Sequence, residues 1–181
     1  MLNVHLTARA DVTPELEYGL RRLLQRAYPQ FADLWAGVSY WGSEPEYHLW
    51  LADRGRPVAQ LGFGRRTVSV NGQEVQIAGV GAVCTDPGWQ GRGVGKRLLT
   101  ELQRVLSNDL PTDFGFLQCR EAVAGFYERG GFVRVPQSVR FFDPDEQQWV
   151  LNAGPTMVLP VLKGSEAWPV RGEVDLRGLP W

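Results

Sequence analysis

The residues best suited to chemistry are gathered in Gly88-Trp89-Gln90-Gly91-Arg92-Gly93-Val94-Gly95-Lys96-Arg97, between a strand-like run and an amphipathic helix. Glycine at such a junction lets successive backbone N–H groups converge at the start of the helix, where the positive end of the dipole reinforces them. The product is an anion site suited to phosphate, with Arg92, Lys96 and Arg97 adding mobile positive charge at its rim. A Walker A loop would need glycine at position 90 and Ser or Thr at 97, where this chain has Gln90 and Arg97. The dinucleotide fingerprint fails at its third glycine, because Lys96 stands there. What fits is Q-x-x-G-x-G, running from Gln90 to Gly95.

A second group with catalytic potential is Tyr127, in Ala124-Gly125-Phe126-Tyr127-Glu128-Arg129-Gly130-Gly131-Phe132. A phenol can donate a proton to a leaving group; an aromatic at this spacing can equally be core. Asp33, Glu44, Glu46 and His48 lie in or beside an aromatic, weakly periodic stretch from Gln30 to Glu46, which reads as a short helix plus loop. Cys84 and Cys119 each end a strand-like run, with no histidine near either in sequence. They read as small buried thiols, and two cysteines alone build neither a disulfide framework nor a zinc site. No metal is expected.

These groups need a frame, and the chain predicts one. Thr13-Pro14-Glu15 is a helix start, with an N-cap, proline at the first helical position and acid in the first turn. Leu16, Leu20, Leu23, Leu24 and Ala27 keep helical spacing until Pro29. Strands are expected at Val4–Leu6 and Tyr47–Ala52, then at Pro57–Val70 and Glu74–Thr85 joined by Asn71-Gly72, a strong hairpin signal. A helix from about Gly93 to Ser107, a strand Phe114–Cys119, a helix Glu121–Arg129, a strand from Phe132 and a last strand Thr156–Leu162 complete the series. The fold class is α/β, a mixed sheet with a right-handed β-α-β crossover at its centre.

The chain has 181 residues, 44% hydrophobic and 22% charged, ordinary values for one globular domain. Its net charge of -1 and lack of a basic stripe argue against nucleic acid as a partner. The absence of a leader or of a bilayer-spanning apolar run points to a cytoplasmic protein with no membrane partner. Glycine (21) and tryptophan (7) are in excess, and the closing segment from Trp168 to Trp181 is too apolar to be left in water.

Taken together, the two motifs resemble the GNAT superfamily of acyl-CoA-dependent N-acyltransferases over about Tyr47 to Phe132. Val83-Cys84-Thr85-Asp86-Pro87-Gly88-Trp89 with the glycine loop is similar to its acyl-CoA motif. The Tyr127 segment is similar to its second motif. The tail resembles, over a short stretch, the tryptophan-terminated end of aminoglycoside 2'-N-acetyltransferases and, more loosely, of nodulation-factor N-acyltransferases. The resemblance implies a single GNAT domain over 1–181, its sheet mostly antiparallel with flanking helices, and a tail (about 163–181) packed back on it. It also implies acetyl-CoA as cosubstrate. The pyrophosphate would sit on Gln90, Gly91, Arg92, Gly93, Val94, Gly95 and Lys96, and the pantetheine arm would lie like an added strand along Val83, Cys84 and Thr85. Tyr127 would protonate the departing thiolate. Many members carry a glutamate on the preceding strand, whereas Gly79 to Val83 contain no carboxylate, so the base is unassigned. Asp33, Glu44, Glu46 and Trp181, the last with its terminal carboxylate, are the expected acceptor-binding residues. The expected partner is a small cationic amine, with a protein amino group or a non-catalytic acyl-CoA sensor as alternatives. A homodimer is compatible with the open sheet edges expected here.

Overall fold

The computed structural model describes residues 2–181. They gather into two compact units, one comprising the chain up to Gly64 with Val80–Leu102 and Trp181, the other Arg65–Gly79 with Gln103–Pro180. The α/β fold class is as expected, with a mixed and mostly antiparallel sheet.

In the first unit, β1 (Asn3–Ala8), β2 (Tyr47–Asp53) and the leading part of β3 (Arg56–Val70) pair antiparallel. Helix α1 (Pro14–Ala27) starts where the sequence predicts, the Thr13 hydroxyl accepting from the Leu16 amide at 3.2 Å with Pro14 behind it. It ends at Tyr28, whose φ of -132° leaves the helical region one residue before Pro29. Leu20, Leu23 and Leu24 are fully buried. Leu20 packs on Trp50 and Ala52, and Leu23 and Leu24 on Trp35 and Cys84. Burying three leucines contributes roughly 2 kcal/mol each, which fixes α1 on one face of these strands. The stretch after α1 forms only short 3-10 turns at Pro29–Phe31 and Leu34–Ala36, not the short helix expected. Gly37, Gly42 and Pro45 interrupt it, and no apolar stripe long enough to hold a helix runs through it.

In the second unit the strand order is β6-β9-β5-β4-β3-β10-β7-β8. The trailing part of β3 turns into β4 (Gln73–Thr85) at Asn71-Gly72, whose φ values of 50° and 80° give the two left-handed residues of a tight hairpin. β4 and β5 (Phe114–Gln118) are parallel, Ile77–Gly79 against Phe114–Phe116, and the chain connects them through α2 (Val94–Asn108). The parallel β-α-β connection is as expected. β9 (Thr156–Pro160) lies antiparallel between β5 and β6 (Val133–Val135).

Three strands were not predicted. The proline-broken stretch forms a hairpin, β7 (Val139–Asp143) with β8 (Gln148–Asn152), and the tail adds β10 (Val174–Asp175) between β3 and β7. Val174 and Asp175 of the closing segment thus pair as strand on both sides. The Arg66 guanidinium, half-buried, donates to the carbonyls of Leu176 and Leu179 at 3.1 and 3.0 Å, holding the segment past β10. Trp168 is buried, edge-on to Phe114 and stacked with Phe116.

Candidate active site

β4 ends at Thr85 and hands over to a 3-10 turn, Pro87–Trp89, before α2. Asp86 organises this corner. Its carboxylate accepts from the Gly88 amide (3.0 Å), from Arg26 at the end of α1 (2.8 Å) and from Arg56 (3.4 Å). Partial burial alone would raise the Asp86 pKa, but the hydrogen bonds and the two guanidinium charges outweigh it and hold the carboxyl below its usual value. The Asp86 amide donates to Val58 at 2.8 Å, which ties the corner to β3.

The predicted anion loop follows. Gln90 folds back, its side-chain amide donating to the Thr85 carbonyl at 3.2 Å. Gly91 and Gly93 adopt φ of 72° and 75°, the conformation that made glycine necessary at these positions, and nothing lies within 4 Å of where their side chains would begin. The Arg97 amide closes onto Gly93 at 3.0 Å. The amides of Val94, Gly95 and Lys96 thus form the N-terminal turn, whose N–H groups α-helix geometry leaves without intrahelical acceptors. Arg92 and Lys96 are exposed beside them, the Arg92 guanidinium 5.5 Å from the centre of the Trp89 ring. The loop has the geometry and charge to hold a phosphate.

Upstream on β4 the other predicted cofactor residues meet α1 and the loop after it. Ala82 has φ of 50°, a left-handed value that is uncommon for a residue with a side chain and turns the peptide leading into Val83. The Tyr28 hydroxyl donates to the Val83 carbonyl at 2.5 Å. Cys84 is buried against Leu23, Leu24 and Trp35. Burial pushes its thiol up to about 12, the neighbouring Gln60 only partly opposing this. A thiol so placed is protonated at neutral pH and is a poor nucleophile.

The expected acceptor residues scatter by role. Trp181 lies where Gly64 and Gly81 have no side chains: its indole Nε1 is 2.8 Å from the Cβ position of residue 64, and its main-chain carbon 2.2 Å from that of residue 81. Glu44 is exposed and ion-paired to Arg9 at 2.7 Å. Arg9 also holds Glu17 at 2.6 Å, and Glu17 accepts from the amide and hydroxyl of Ser39. Burial would raise the Glu17 pKa, and the Arg9 and Ser39 hydrogen bonds bring it below the usual value. Glu46 joins β3 through its backbone, its amide donating to Phe63 at 2.9 Å. Asp33 is exposed at the entrance to the second 3-10 turn.

In the second unit, Tyr127 sits in the last turn of α3 (Glu121–Arg129), nine-tenths buried. Gly131, at φ 95°, lets the helix end in a paired cap: its amide reaches Glu128 at 3.0 Å and the Phe132 amide reaches the Tyr127 carbonyl at 3.1 Å. The Phe132 ring packs at right angles on Tyr127, centroids 5.6 Å apart. The glycine-phenylalanine end of the motif is therefore what fixes the Tyr127 backbone and the plane of its ring. Sequence reasoning passed over Tyr28, Ala82 and Gln60. Only Tyr28, next to a helix-stopping proline, left any trace in the pattern.

Solved structures share this fold at low identity. An acyl-CoA N-acyltransferase from Pseudomonas aeruginosa superposes with a TM-score of 0.61 at 17% identity, covering 88% of this chain and 99% of that one. The GNAT family N-acetyltransferase YhbS from Escherichia coli, in complex with CoA, gives 0.62 at 18%, covering 98% and 91%. A putative N-acetyltransferase from Lactobacillus plantarum gives 0.61 at 16%, covering 88% and 98%. No curated protein matches the sequence. The fold is that of the GNAT acyltransferases, and with residues 3–179 matched by the family model for Nodulation protein A (NodA), the chain belongs to the NodA family of acyltransferases.

Proposed function

We propose that the protein transfers an acetyl group from acetyl-CoA to the primary amine of a small cationic molecule, by direct attack within a ternary complex. The observation that carries this reading is the corner from Val83 to Lys96. There a strand end leads through an Asp86-pinned turn into a glycine loop at a helix mouth. The loop suits the pyrophosphate, and the strand end offers backbone groups to the amides of a pantetheine arm.

The amine, having shed one proton to a base or to water, attacks the thioester carbon. The C–N bond forms, the tetrahedral oxyanion is held by a β4 amide, and the C–S bond breaks. Tyr127 gives its proton to the departing thiolate, and the nitrogen's second proton returns the phenol to its neutral state. The protonated Cys84 thiol speaks against an acyl-cysteine intermediate. Trp181, seated on Gly64 and Gly81 two residues before Val83, walls the acceptor side, with Asp33 and Glu46 drawing a cationic acceptor to the neighbouring loop and Glu44 held by Arg9.

Release of free CoA from acetyl-CoA across a panel of aminosugars, polyamines and amine-bearing peptides tests this reading. Turnover with the small amines is the expected result, and turnover with peptides alone would move the acceptor to a protein amino group. The lack of a carboxylate between Gly79 and Val83 favours one competing reading, a non-catalytic acyl-CoA sensor. Tight acetyl-CoA binding with no CoA release from any amine would establish that instead.

A further inference from the structure

One face of the first unit's strands carries a buried polar pair with no role so far. The register sets His48 opposite Gly62 and Trp50 opposite Gln60, so His48 and Gln60 are diagonal neighbours on the same face. Both side chains have no exposure, and no His48 nitrogen or Gln60 amide atom reaches a partner at full hydrogen-bond geometry, although the Gln60 amide lies beside the His48 ring and the Cys84 thiol. The indole N–H of Trp35, which packs on Cys84 over this same face, is buried and unpartnered as well. Buried polar groups are almost always satisfied, so five such atoms in one patch require a reason.

Their surroundings point to the reason. Gln60 neighbours both the Cys84 thiol and the His48 ring. The next residues of β3 on this face are Gly62 and Gly64, where a Cβ would stand 3.1 Å from the Pro45 ring and 2.8 Å from the Trp181 Nε1. The pair thus lies on the strip that runs from the cofactor end of β4 to Trp181, under the loop that ends at Glu46. That loop has no regular structure beyond its two short turns, and Ser39 on Glu17 and Glu44 on Arg9 pin it from the outside.

We propose that His48 and Gln60 are the specificity-determining pair for an uncharged hydroxyl or amide group of the amine acceptor, admitted when the 37–46 loop lifts. The proposal rests on the N-acyltransferase reading. A neutral imidazole and a carboxamide each offer one donor and one acceptor side, the complement of a hydroxyl or amide. A second cation is disfavoured, because Arg9 already takes both nearby carboxylates, Glu17 and Glu44. Trp35 adds one further donor.

The test compares glucosamine with cyclohexylamine, a pair that differs in hydroxyl content, in wild type and in Gln60→Met, with Gln60→Leu as second variant should the first fold poorly. Removing unpartnered amide atoms should raise the melting temperature of the ligand-free protein. It should lower kcat/KM for glucosamine at least tenfold and leave cyclohexylamine within twofold. A variant less stable than wild type, with both amines affected alike, would show a purely structural role and overturn the proposal. His48 is one of two histidines, so its ring protons can be followed directly by NMR. They should shift on adding glucosamine or other hydroxylated amines, and an unmoved His48 signal across that set would also overturn it. A shift without any acyl transfer would uphold the pair and reject the transferase reading. Transfer without a shift or a selective loss would do the reverse.

Discussion

Trp181 occupies the side-chain space of Gly81: a Cβ on residue 81 would stand 2.2 Å from its main-chain carbon and 2.6 Å from its carbonyl oxygen. Gly64 makes room for the indole in the same way. Both glycines are therefore required by a close approach and not by backbone conformation, since neither has a positive φ. Gly81→Ala should expel Trp181 while costing about 1–3 kcal/mol of stability as an overpacking change. The measurement is the acceptor KM at saturating acetyl-CoA, expected to rise several-fold, with the acetyl-CoA KM unchanged. An acceptor KM equal to wild type would separate Trp181 from the acceptor.

Tyr127→Phe keeps the ring that packs on Phe132 and leaves the backbone cap untouched. Stability should change by about 1 kcal/mol, the usual net contribution of one buried hydroxyl. Turnover should fall about 100-fold or more, the usual contribution of a general acid, with acetyl-CoA affinity by calorimetry unaltered. Turnover within twofold of wild type would remove the acid role.

Gly93→Ala isolates the backbone contribution of the anion loop. Nothing lies near the new methyl, so its effect comes from the left-handed φ of 75° alone, about 1–2 kcal/mol of strain. The helix mouth should relax away from its geometry and acetyl-CoA binding should weaken roughly tenfold. Unchanged acetyl-CoA affinity would show that the phosphates sit elsewhere.

Cys84→Ala tests the direct-transfer chemistry. A buried thiol held at about 12 carries no nucleophilic charge at neutral pH, so the variant should keep turnover within a few-fold of wild type. Mass spectrometry after incubation with acetyl-CoA alone should find no acetylated Cys84. A stoichiometric acetyl adduct would point to a double-displacement route.

His48 makes stability depend on pH in a defined window. Burial, then the charge of Arg9, lowers its pKa from 6.5 to about 4, against the weaker raising effects of Glu17, Gln60 and Glu44. Between those values the unfolded chain binds a proton that the folded one refuses, so stability falls as pH drops from about 6.5 towards 4. The loss over the window is on the order of 3 kcal/mol. Urea melts of wild type and His48→Gln across pH 4 to 7 check it, the variant being expected to show a clearly shallower slope. Equal slopes would show that His48 titrates normally.

Local rules made a good part of this protein legible in its sequence. The Thr13-Pro14 start of α1, the Asn71-Gly72 turn and the glycine loop before α2 each depend on residues within a few positions of one another, and each stands where its pattern predicts. The GNAT resemblance also followed, because its two motifs are short and contiguous. What tertiary structure decided has partners far apart in the chain. β7, β8 and β10 are strands because neighbouring edges satisfy their backbones, although prolines and charges blur their period. The left-handed turn at Ala82 and the Tyr28 bond to Val83 arise from packing across 55 positions. Glu44, an acid like any other in the sequence, is committed to Arg9 by the fold. His48 and Gln60 read as ordinary alternating strand residues, and only the folded chain shows that both are fully buried. Sequence patterns specify what a few adjacent residues do to their own backbone, while burial and charge pairing are set by neighbours that only the folded chain brings together.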